Sequence, residues 1–456
     1  MKVNPSIFRE YDIRGRAGVD YDEAFVEALG RAYGSRLRRE NITRAAVGRD
    51  CRLTSPAYHD ALKRGIRSTG IDVIDIGQCP TPLLYFAVHF LDLMGGVQVT
   101  GSHNPPDQNG FKICVGKTTI HGDEIRELGA MIDAGRFESG SGAEEEYPII
   151  PAYIGYLEEQ FGRAGEGVRV VVDSGNGTGG PVGPPVYRAM GCSVTELYSE
   201  PDGTFPNHHP DPTVEENVAD LIAEVRKQGA DLGIAFDGDA DRIGAVDNTG
   251  RIIWGDEMLV VFARDILREH PGATIVSEVK CSQRLYDDIE RHGGNGIMWK
   301  VGHSLLKAKM RETGALLGGE MSGHLFFADR YFGYDDAIYA GARLIETVAR
   351  SGRSLAEMLS DLPPAVSTPE IRIECPDEIK FAIAEKARER FRTLGFEIVD
   401  VDGVRVKFDD GWGLIRASNT QPVLVTRFEA STEEALARVR ATVEEELDKL
   451  KAELAA

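Results

Sequence analysis

Short apolar runs alternate along the chain with longer segments whose apolar residues recur at helical spacing. A short continuous apolar run is typical of a strand buried on both faces, and the longer segments are typical of amphipathic helices. This order of predicted elements repeats three times. Each repeat ends in a strand that leads into a polar loop containing glycine, and these strands are predicted at residues 95–100, 232–236 and 315–317.

The three polar loops begin at Gly101, Asp237 and Gly319. Strands that alternate with helices favour parallel or mixed sheets covered on both faces, and the ligands of such sheets gather at the carboxyl ends of the strands. We therefore expect three similar α/β domains whose loops form the walls of one site.

The last quarter of the chain has a different pattern, which predicts a C-terminal α+β domain. Its predicted elements are a strand, a helix, a hairpin and a further strand, at residues 371–374, 377–394, 396–408 and 423–428. A closing helix follows, and Ser431 with Glu434 fits a capping box at its start. This domain contributes a polar loop of its own, at residues 416–420.

Segments rich in small and polar residues predict the domain boundaries, and they lie at residues 139–146, 247–250 and 361–364. None of them is long enough to be a disordered tether. The predicted domains are residues 1–148, 149–250, 251–364 and 365–456.

Composition narrows the class of partner. Among 456 residues, 52 are Lys or Arg and 73 are Asp or Glu, which gives a formal net charge of −21. Nucleic acid and anionic membranes bind proteins through cationic surfaces, so we expect neither as a partner. The longest apolar stretch is too short to span a bilayer, the first residues do not resemble a signal peptide, and the six cysteines lack metal-like spacing. We expect a cytoplasmic monomer with reduced cysteines.

Asp237, Asp239 and Asp241 occupy alternate positions directly after an apolar strand. Three carboxylates so close together repel one another unless a cation lies among them, and oxygen ligands without His or Cys suit Mg²⁺. The alternatives are a solvated acidic turn or a calcium loop of the EF-hand type. The EF-hand pattern needs Gly at its sixth position and Glu at its twelfth, where this loop has Arg242 and Asn248.

Ser102 lies in a turn between Gly101 and His103. Taken alone, such a serine more often caps or forms a turn. Beside a Mg²⁺ site, and without a Ser-His-Asp order, a serine is better suited to carry a phosphoryl group than an acyl group. Ser102 is therefore a candidate phosphoryl carrier.

The loop of the fourth domain is dense in hydrogen-bond donors. It contains a guanidinium, two hydroxyls and an amide within five residues, Arg416-Ala-Ser418-Asn419-Thr420. These are the donors that a phosphate dianion needs, and the alternative is an ordinary polar hairpin end.

The loop of the third domain offers groups for a sugar. Glu320 and Ser322 can accept from and donate to neighbouring hydroxyls, and His324 suits proton transfer near neutral pH, as does His303. Either histidine, taken singly, is more often a packing residue.

One glycine-rich segment resembles a dinucleotide-binding fingerprint. Residues 175–180 fit GxGxxG after a predicted strand, and Glu196 lies near the position of a ribose-binding acid. Prolines at positions 181, 184 and 185 crowd the place where the pyrophosphate-binding helix would begin, so we do not expect this function. We expect His208 and His209, in a proline-rich loop, to be structural.

Taken together, the motifs resemble those of the α-D-phosphohexomutase family along the whole chain. The matching segments are Phe8-Arg-Glu-Tyr-Asp-Ile-Arg-Gly15, Thr100-Gly-Ser-His-Asn-Pro105, Asp237-Gly-Asp-Ala-Asp-Arg242, Gly319-Glu-Met-Ser-Gly-His324 and Arg416-Ala-Ser-Asn-Thr420. The resemblance implies four domains around one central cleft. It also implies reversible transfer of a phosphoryl group between C1 and C6 of a hexose phosphate, through a phosphoserine and a 1,6-bisphosphate.

The resemblance further implies roles for individual residues. Ser102 would be the phosphoserine and, with Asp237, Asp239 and Asp241, a ligand of one Mg²⁺. The implied catalytic residues are Ser102, Arg14, Lys112, His303 and His324, with His324 and Lys112 preferred as general acid and base. The implied substrate-binding residues are Tyr11, Arg242, Lys280, Glu320, Ser322, His324, Arg416, Ser418, Asn419 and Thr420.

Met321 is typical of members that act on mannose or glucose phosphates, and the resemblance implies glucose or mannose 1,6-bisphosphate as activator. Three alternatives stay open: a phosphoglucosamine mutase, a Mg²⁺-dependent sugar phosphatase that releases phosphate to water, and a sugar-phosphate sensor without turnover. A phosphatase has no need of a separate clamp for a distal phosphate, which favours the mutase.

Overall fold

The computed structural model describes residues 2–419 and 421–455. The first domain is a sheet covered by helices. Its strands are β1 (Ile13–Arg16), β2 (Arg44–Arg49), β3 (Asp72–Gln78), β4 (Gly95–Val99), β5 (Gln108–Val115), β6 (Thr118–Thr119) and β7 (Glu144–Glu146). Its helices are α1 (Glu23–Arg39), α2 (Ser55–Arg67), α3 (Thr81–Phe90) and α4 (Asp123–Ala134), and the strand order is β1-β5-β4-β2-β3-β7.

The second domain has a five-stranded sheet in the order β12-β11-β10-β8-β9. Its elements are α5 (Ile149–Phe161), β8 (Arg169–Asp173), α6 (Gly183–Ala189), β9 (Ser193–Leu197), α7 (Ala219–Gln228), β10 (Leu232–Phe236), β11 (Ile243–Asp247) and β12 (Ile252–Ile253). Because β12 pairs with β11, this sheet extends past the predicted limit at residue 250. The domain limits themselves stay predictions.

The third domain has a four-stranded sheet in the order β14-β13-β15-β16. Its elements are α8 (Gly255–Glu269), β13 (Thr274–Glu278), α9 (Gln283–Arg291), β14 (Asn295–Trp299), α10 (His303–Thr313), β15 (Leu317–Gly319), β16 (Leu325–Phe327), α11 (Ala337–Ser351) and α12 (Leu355–Met358).

The fourth domain is an antiparallel sheet packed against two helices. It comprises β17 (Val366–Ser367), β18 (Ile371–Glu374), α13 (Asp377–Thr393), β19 (Ile398–Val399), β20 (Val404–Phe408), β21 (Gly411–Ala417), β22 (Val423–Ala430) and α14 (Glu433–Ala455). The hydroxyl of Thr432 accepts from the backbone N–H of Ala435, so the helix is capped one residue after the predicted Ser431. The capping-box prediction was wrong by that residue.

The predicted fold class, three similar α/β domains and a C-terminal α+β domain, is confirmed. One feature of the sheets was not predicted. In each α/β domain the strand after the polar loop turns back and pairs antiparallel with the strand before it, as β4 with β5, β10 with β11 and β15 with β16. Each functional loop is therefore held at both ends by one ladder of hydrogen bonds. The segment predicted as the first linker also contains a strand, β7, which pairs with β3.

The apolar core is divided unevenly. One continuous cluster packs residues of the second and third domains against α3 of the first, and a second cluster fills the other side of the first sheet. The fourth domain has its own core and contributes Trp412 and Leu414, with the partly buried Val401, to a small cluster with Val279 of the third. No helix in the described part of the chain is long and apolar enough to cross a membrane.

Candidate active site

Ser102 lies directly after β4, buried, in a turn that forces its backbone to a φ of 49°. A positive φ is costly for a residue with a side chain and persists where the surroundings hold it. Its backbone N–H donates to the Thr100 hydroxyl (2.9 Å), and its own hydroxyl donates to Asp237 Oδ2 (2.9 Å). The structure thus brings Ser102 against residues 237–242 of the second domain, which we call the acidic loop.

Arg52 fixes the conformation of residues 101–108, which we call the serine loop. Its guanidinium is buried and donates to four backbone carbonyls of the loop, those of Ser102, Asn104, Pro105 and Gln108. Sequence reasoning missed this residue, because it lies fifty positions before the serine and carries no motif of its own.

The acidic loop follows β10, and Asp237, Asp239 and Asp241 are all fully buried. Gly238 lets this loop approach the serine loop, since a Cβ atom there would lie 2.5 Å from the Ser102 carbonyl oxygen. The segment at residues 175–180 packs behind it, where the Thr178 N–H donates to the Gly238 carbonyl (3.0 Å). Gly177 serves this close packing, since a Cβ atom there would lie 2.6 Å from the Gly238 carbonyl oxygen.

The three carboxylates suit a cation. One oxygen of each lies within 4.8 Å of the others, and the Oδ1 atoms of Asp239 and Asp241 have no hydrogen-bond partner among the described residues. Burial and the charges of Asp239 and Asp241 raise the pKa of Asp237 well above its ordinary value. A set made only of hard oxygens, in which the charge of one carboxyl is disfavoured, fits Mg²⁺.

Two cations lie beside these carboxylates. Lys112 Nζ donates to Asp239 Oδ2 (2.7 Å) and also to Asp241 Oδ2. Burial opposes the charge of Lys112, but the two aspartates outweigh it and hold its pKa above the ordinary value. Arg14 is fixed by Asp12 (2.5 Å) and by Asn104 of the serine loop (3.0 Å). In this arrangement Lys112 is better suited to stabilise negative charge than to remove a proton.

Arg242 connects the serine loop to residues 319–324 of the third domain, which we call the sugar loop. Its Nε–H donates to His324 Nε2 (2.9 Å), and its Nη1 lies 3.5 Å from His103 Nε2. Nδ1 of the same His103 lies 3.1 Å from the Ser102 hydroxyl. Burial and the charges of Arg242 and Arg14 hold the pKa of His103 well below its ordinary value, so its ring is neutral.

The sugar loop is organised around Glu320, which is buried and accepts from the Gly302 N–H (3.0 Å) and the Ser322 hydroxyl (3.0 Å). Glu278 supports it from below by accepting from the Met321 N–H (3.2 Å). His303, at the start of α10, stacks on His324 with ring centroids 5.4 Å apart. The predicted sugar-binding residues therefore face one another.

The fourth domain brings its loop to the same place. Arg416 is fixed by Asp402 (3.1 Å), and the Asn419 amide donates to the Tyr11 hydroxyl (2.9 Å). Lys280 forms an ion pair with Glu370 (3.1 Å), at the entrance to this domain. Ser418 is buried near them, whereas Thr420 lies outside the described residues.

Several supporting residues had no signal in the sequence. Asp402, Glu278 and Asp335 are acids outside any motif that the sequence analysis singled out, and each contacts a predicted site residue. Nε2 of His208, which is predicted to be structural, lies 3.1 Å from Asp173 Oδ2. A pairing of this kind can be recognised only after the loops are folded together.

Charge is distributed unevenly across the protein. The net charge is −21, yet cationic side chains from all four domains, Arg14, Lys112, Arg242, Lys280 and Arg416, belong to this site. A cleft lined by cations attracts small anions even on an acidic protein.

Known proteins are similar to this chain along almost its whole length. Four family models, described as phosphoglucomutase/phosphomannomutase alpha/beta/alpha domains I, II and III and C-terminal domain, match residues 5–139, 151–250, 254–366 and 370–446. A phosphomannomutase/phosphoglucomutase of Pseudomonas aeruginosa is 48% identical over 442 residues, covering 97% of this chain and 95% of the relative. A phosphoglucomutase of Neisseria gonorrhoeae is 43% identical, covering 96% of each chain.

A solved structure is similar over the same length. It is the crystal structure of a phosphoglucomutase/phosphomannomutase family protein from Burkholderia thailandensis, with a TM-score of 0.93 and 43% identity, covering 98% of each chain.

Proposed function

The chain belongs to the phosphoglucomutase/phosphomannomutase family, the α-D-phosphohexomutases, and we propose that Ser102 is its phosphoryl carrier. The protein is an isomerase that moves a phosphoryl group between C1 and C6 of hexose phosphates. The observation that carries the proposal is the buried Ser102 hydroxyl, 2.9 Å from Asp237 Oδ2. Lys112, Arg14 and Arg242 bring positive charge to its neighbours, through their contacts with Asp239, Asn104 and His103.

In the first transfer, the free hydroxyl of the sugar phosphate attacks the phosphorus on phosphorylated Ser102. The sugar O–P bond forms, the serine Oγ–P bond breaks, and the hydroxyl proton passes to His324. The product of this step is a 1,6-bisphosphate. In the second transfer, after the bisphosphate has turned over, Ser102 Oγ, which the first transfer left as an alkoxide, attacks the other phosphoryl group. The Oγ–P bond forms, the sugar O–P bond breaks, His324 returns its proton to that sugar oxygen, and the sugar leaves with its phosphate at the other carbon.

The remaining residues bind and orient the sugar. Arg416, Ser418 and Asn419, with Thr420 beside them in the sequence, would hold the phosphate that does not react. Glu320 and Ser322 would hold ring hydroxyls, and Lys280, His303 and Tyr11 would line the sugar. Arg14, Lys112 and Arg242 would stabilise charge on the transferring group.

Mg²⁺ would be held by Ser102, Asp237, Asp239 and Asp241, and would neutralise charge that develops on the phosphoryl oxygens. Glucose or mannose 1,6-bisphosphate would act as activator, because it phosphorylates a serine that has lost its phosphoryl group. We also propose that the enzyme acts as a monomer.

The test is a product assay. Purified protein is incubated with glucose 1-phosphate, Mg²⁺ and a trace of glucose 1,6-bisphosphate, and both glucose 6-phosphate and inorganic phosphate are measured. We expect glucose 6-phosphate without inorganic phosphate. Inorganic phosphate as the main product would identify a phosphatase, and no turnover would identify a sensor.

The preferred sugar is a finer proposal. Met321, between Glu320 and Ser322, supports mannose or glucose phosphates rather than glucosamine phosphate. The ratios of kcat/KM for mannose 1-phosphate, glucose 1-phosphate and glucosamine 1-phosphate test it, and a ratio that favours the glucosamine compound would refute it.

A further inference from the structure

Asp335 is a buried acid behind the two histidines of the site, and no step described so far uses it. It lies between β16 and α11, fully buried. Its backbone forms an antiparallel bridge with Phe326, two residues after His324. The fold therefore brings its carboxylate next to the histidine rings although eleven positions separate Asp335 from His324 in sequence.

The two oxygens of Asp335 face different partners. Oδ1 accepts from Lys307 Nζ (2.9 Å), a buried lysine whose ammonium also lies 4.4 Å from the ring centre of Tyr85. Oδ2 faces the rings, 3.1 Å from His324 Nδ1 and 3.7 Å from His303 Nδ1. These three buried atoms have no hydrogen-bond partner elsewhere among the described residues, so each ring nitrogen has this carboxylate as a near neighbour. Burial alone would raise the pKa of Asp335, but Lys307 and the two histidines outweigh it and keep this carboxyl ionised.

The tautomer of His324 follows from its other nitrogen. A guanidinium Nε–H only donates, so the 2.9 Å contact from Arg242 requires an unprotonated Nε2. In a neutral imidazole the proton must then be on Nδ1, which lies 3.1 Å from Asp335 Oδ2 and 3.7 Å from Asp241 Oδ1, so Asp335 is the nearer of the two carboxylates.

A second cation site was the main alternative for this cluster, because Asp241, His324 and Asp335 offer ligand atoms within 4.8 Å of one another. The tautomer excludes it. A ring nitrogen that carries a proton has no lone pair for a metal.

We propose that Asp335 is a positioning residue that holds His324 with its proton on Nδ1, so that Nε2 is the atom that exchanges protons with the sugar. This inference rests on the proposed mutase function. During transfer the hydroxyl proton moves to Nε2 in exchange for the Arg242 donor, and the resulting imidazolium is stabilised by the Asp335 carboxylate. In the second transfer the proton returns from Nε2 to the sugar oxygen whose O–P bond breaks, so the ring and Asp335 are unchanged after a cycle.

The substitution Asp335→Asn tests the proposal because Lys307 determines which way the new amide is oriented. The ammonium of Lys307 has no lone pair and needs an acceptor, so the substituted amide must turn its oxygen to Lys307 and its NH₂ to His324. That NH₂ is a donor, so Nδ1 must become an acceptor and the ring proton must move to Nε2. There the N–H of the ring meets the N–H of Arg242, and two donors face each other. We expect kcat to fall by about 10²-fold to 10⁴-fold with KM changed less than about threefold.

The neighbouring acid provides the matched control. Asp336 is also buried, but it caps α11 and accepts from Tyr153 and Tyr331 rather than from the histidines. Asp336→Asn should keep kcat within about twofold. In the double variant Asp335→Asn with Lys307→Met the amide is free to turn, and kcat should recover by about tenfold over Asp335→Asn.

The decisive readout does not depend on activity. Long-range ¹H–¹⁵N spectra of the histidine rings, with the His324 signals identified by their loss in His324→Gln, report which nitrogen is protonated. We expect Nδ1–H in the wild-type protein and Nε2–H in Asp335→Asn. Nε2–H in the wild-type protein would overturn the proposal, and so would Asp335→Asn with the kcat of Asp336→Asn.

The double variant tests the orientation of the amide. If its kcat is no higher than that of Asp335→Asn, the amide is not held by Lys307 as proposed, and the positioning role of Asp335 is refuted. Failure of the proposed function would look different. Wild-type protein without mutase activity would refute the function, while the ring spectra would still decide the tautomer.

Discussion

The side-chain amide of Asn419 donates a 2.9 Å hydrogen bond to the hydroxyl of Tyr11 and thereby joins the fourth domain to the first. The same hydroxyl donates to the Val301 carbonyl of the third domain (2.7 Å). Three of the four domains meet at one phenol. The fourth domain has a separate core, so polar contacts of this kind, with a small apolar cluster against Val279, hold its loop over the site.

Tyr11→Phe removes both hydrogen bonds and leaves the ring in place. A net hydrogen bond contributes about 1 kcal/mol, so we expect KM for glucose 1-phosphate to rise by about threefold to tenfold, with a smaller change in kcat. Tyr21→Phe is the matched control, because the buried Tyr21 hydroxyl has no partner among the described residues. Equal KM values for the two variants would show that the contact does not hold the loop.

Arg52→Lys keeps the positive charge but loses the fork that binds four carbonyls of the serine loop. Because the loop positions Ser102, we expect kcat to fall by about tenfold to 10²-fold and phosphorylation of Ser102 by the bisphosphate to slow in parallel. Arg49→Lys, three residues earlier at a partly exposed site, should leave both rates within about twofold. A normal phosphorylation rate in Arg52→Lys would contradict this role.

Removal of divalent cations should destabilise the protein through the acidic loop. The raised pKa of Asp237 means that burial and the neighbouring carboxylates disfavour its charge in the folded state. Asp237→Asn should therefore raise the unfolding midpoint of the chelated protein, and added Mg²⁺ should stabilise the wild-type protein by a few degrees but not the variant. An equal Mg²⁺-induced shift in both proteins would place the cation elsewhere.

The ion pair of Lys280 with Glu370 predicts that the stability of the fold depends on pH. Lys280 lowers the pKa of Glu370 from 4.5 to about 2 against the opposing effect of burial. A carboxyl whose pKa is lower in the folded state stabilises the fold above its unfolded pKa, and this contribution is lost as pH falls from about 4.5 toward 2. Glu370→Gln should cost about 1 to 2 kcal/mol near pH 7, since the pair is only partly buried.

Thermal unfolding measured between pH 7 and pH 3 checks this. The gap between wild-type protein and Glu370→Gln should narrow as pH falls, whereas Glu374→Gln, at an exposed acid on β18, should show no such gap. A constant gap across the pH range would contradict the lowered pKa.

Local pattern was enough to predict the architecture. The strands before Gly101, Asp237 and Gly319 are short apolar runs, and the loops after them carry the groups that the structure brings together. The returning strands β5, β11 and β16, of eight, five and three residues, were not predicted. Their antiparallel pairing depends on how each loop folds back, which residue pattern does not show. The predicted capping box failed by one residue because Ser431 and Thr432 are both competent caps.

The supporting residues could not be predicted for a different reason. Arg52 acts on carbonyl groups, which every residue has, and Asp335 reaches His324 only through the bridge to Phe326. Such contacts depend on the folded path of the chain and not on residue spacing.

The central claim is that Ser102 transfers its own phosphoryl group to the sugar. The most direct measurement is a single turnover of enzyme carrying a radiolabelled phosphoryl group, mixed with unlabelled glucose 1-phosphate and Mg²⁺. The account predicts that label leaves the protein and appears in hexose phosphates, and that Ser102→Ala cannot be labelled at all. Label that stays on the protein through turnover, or that appears as inorganic phosphate, would contradict it.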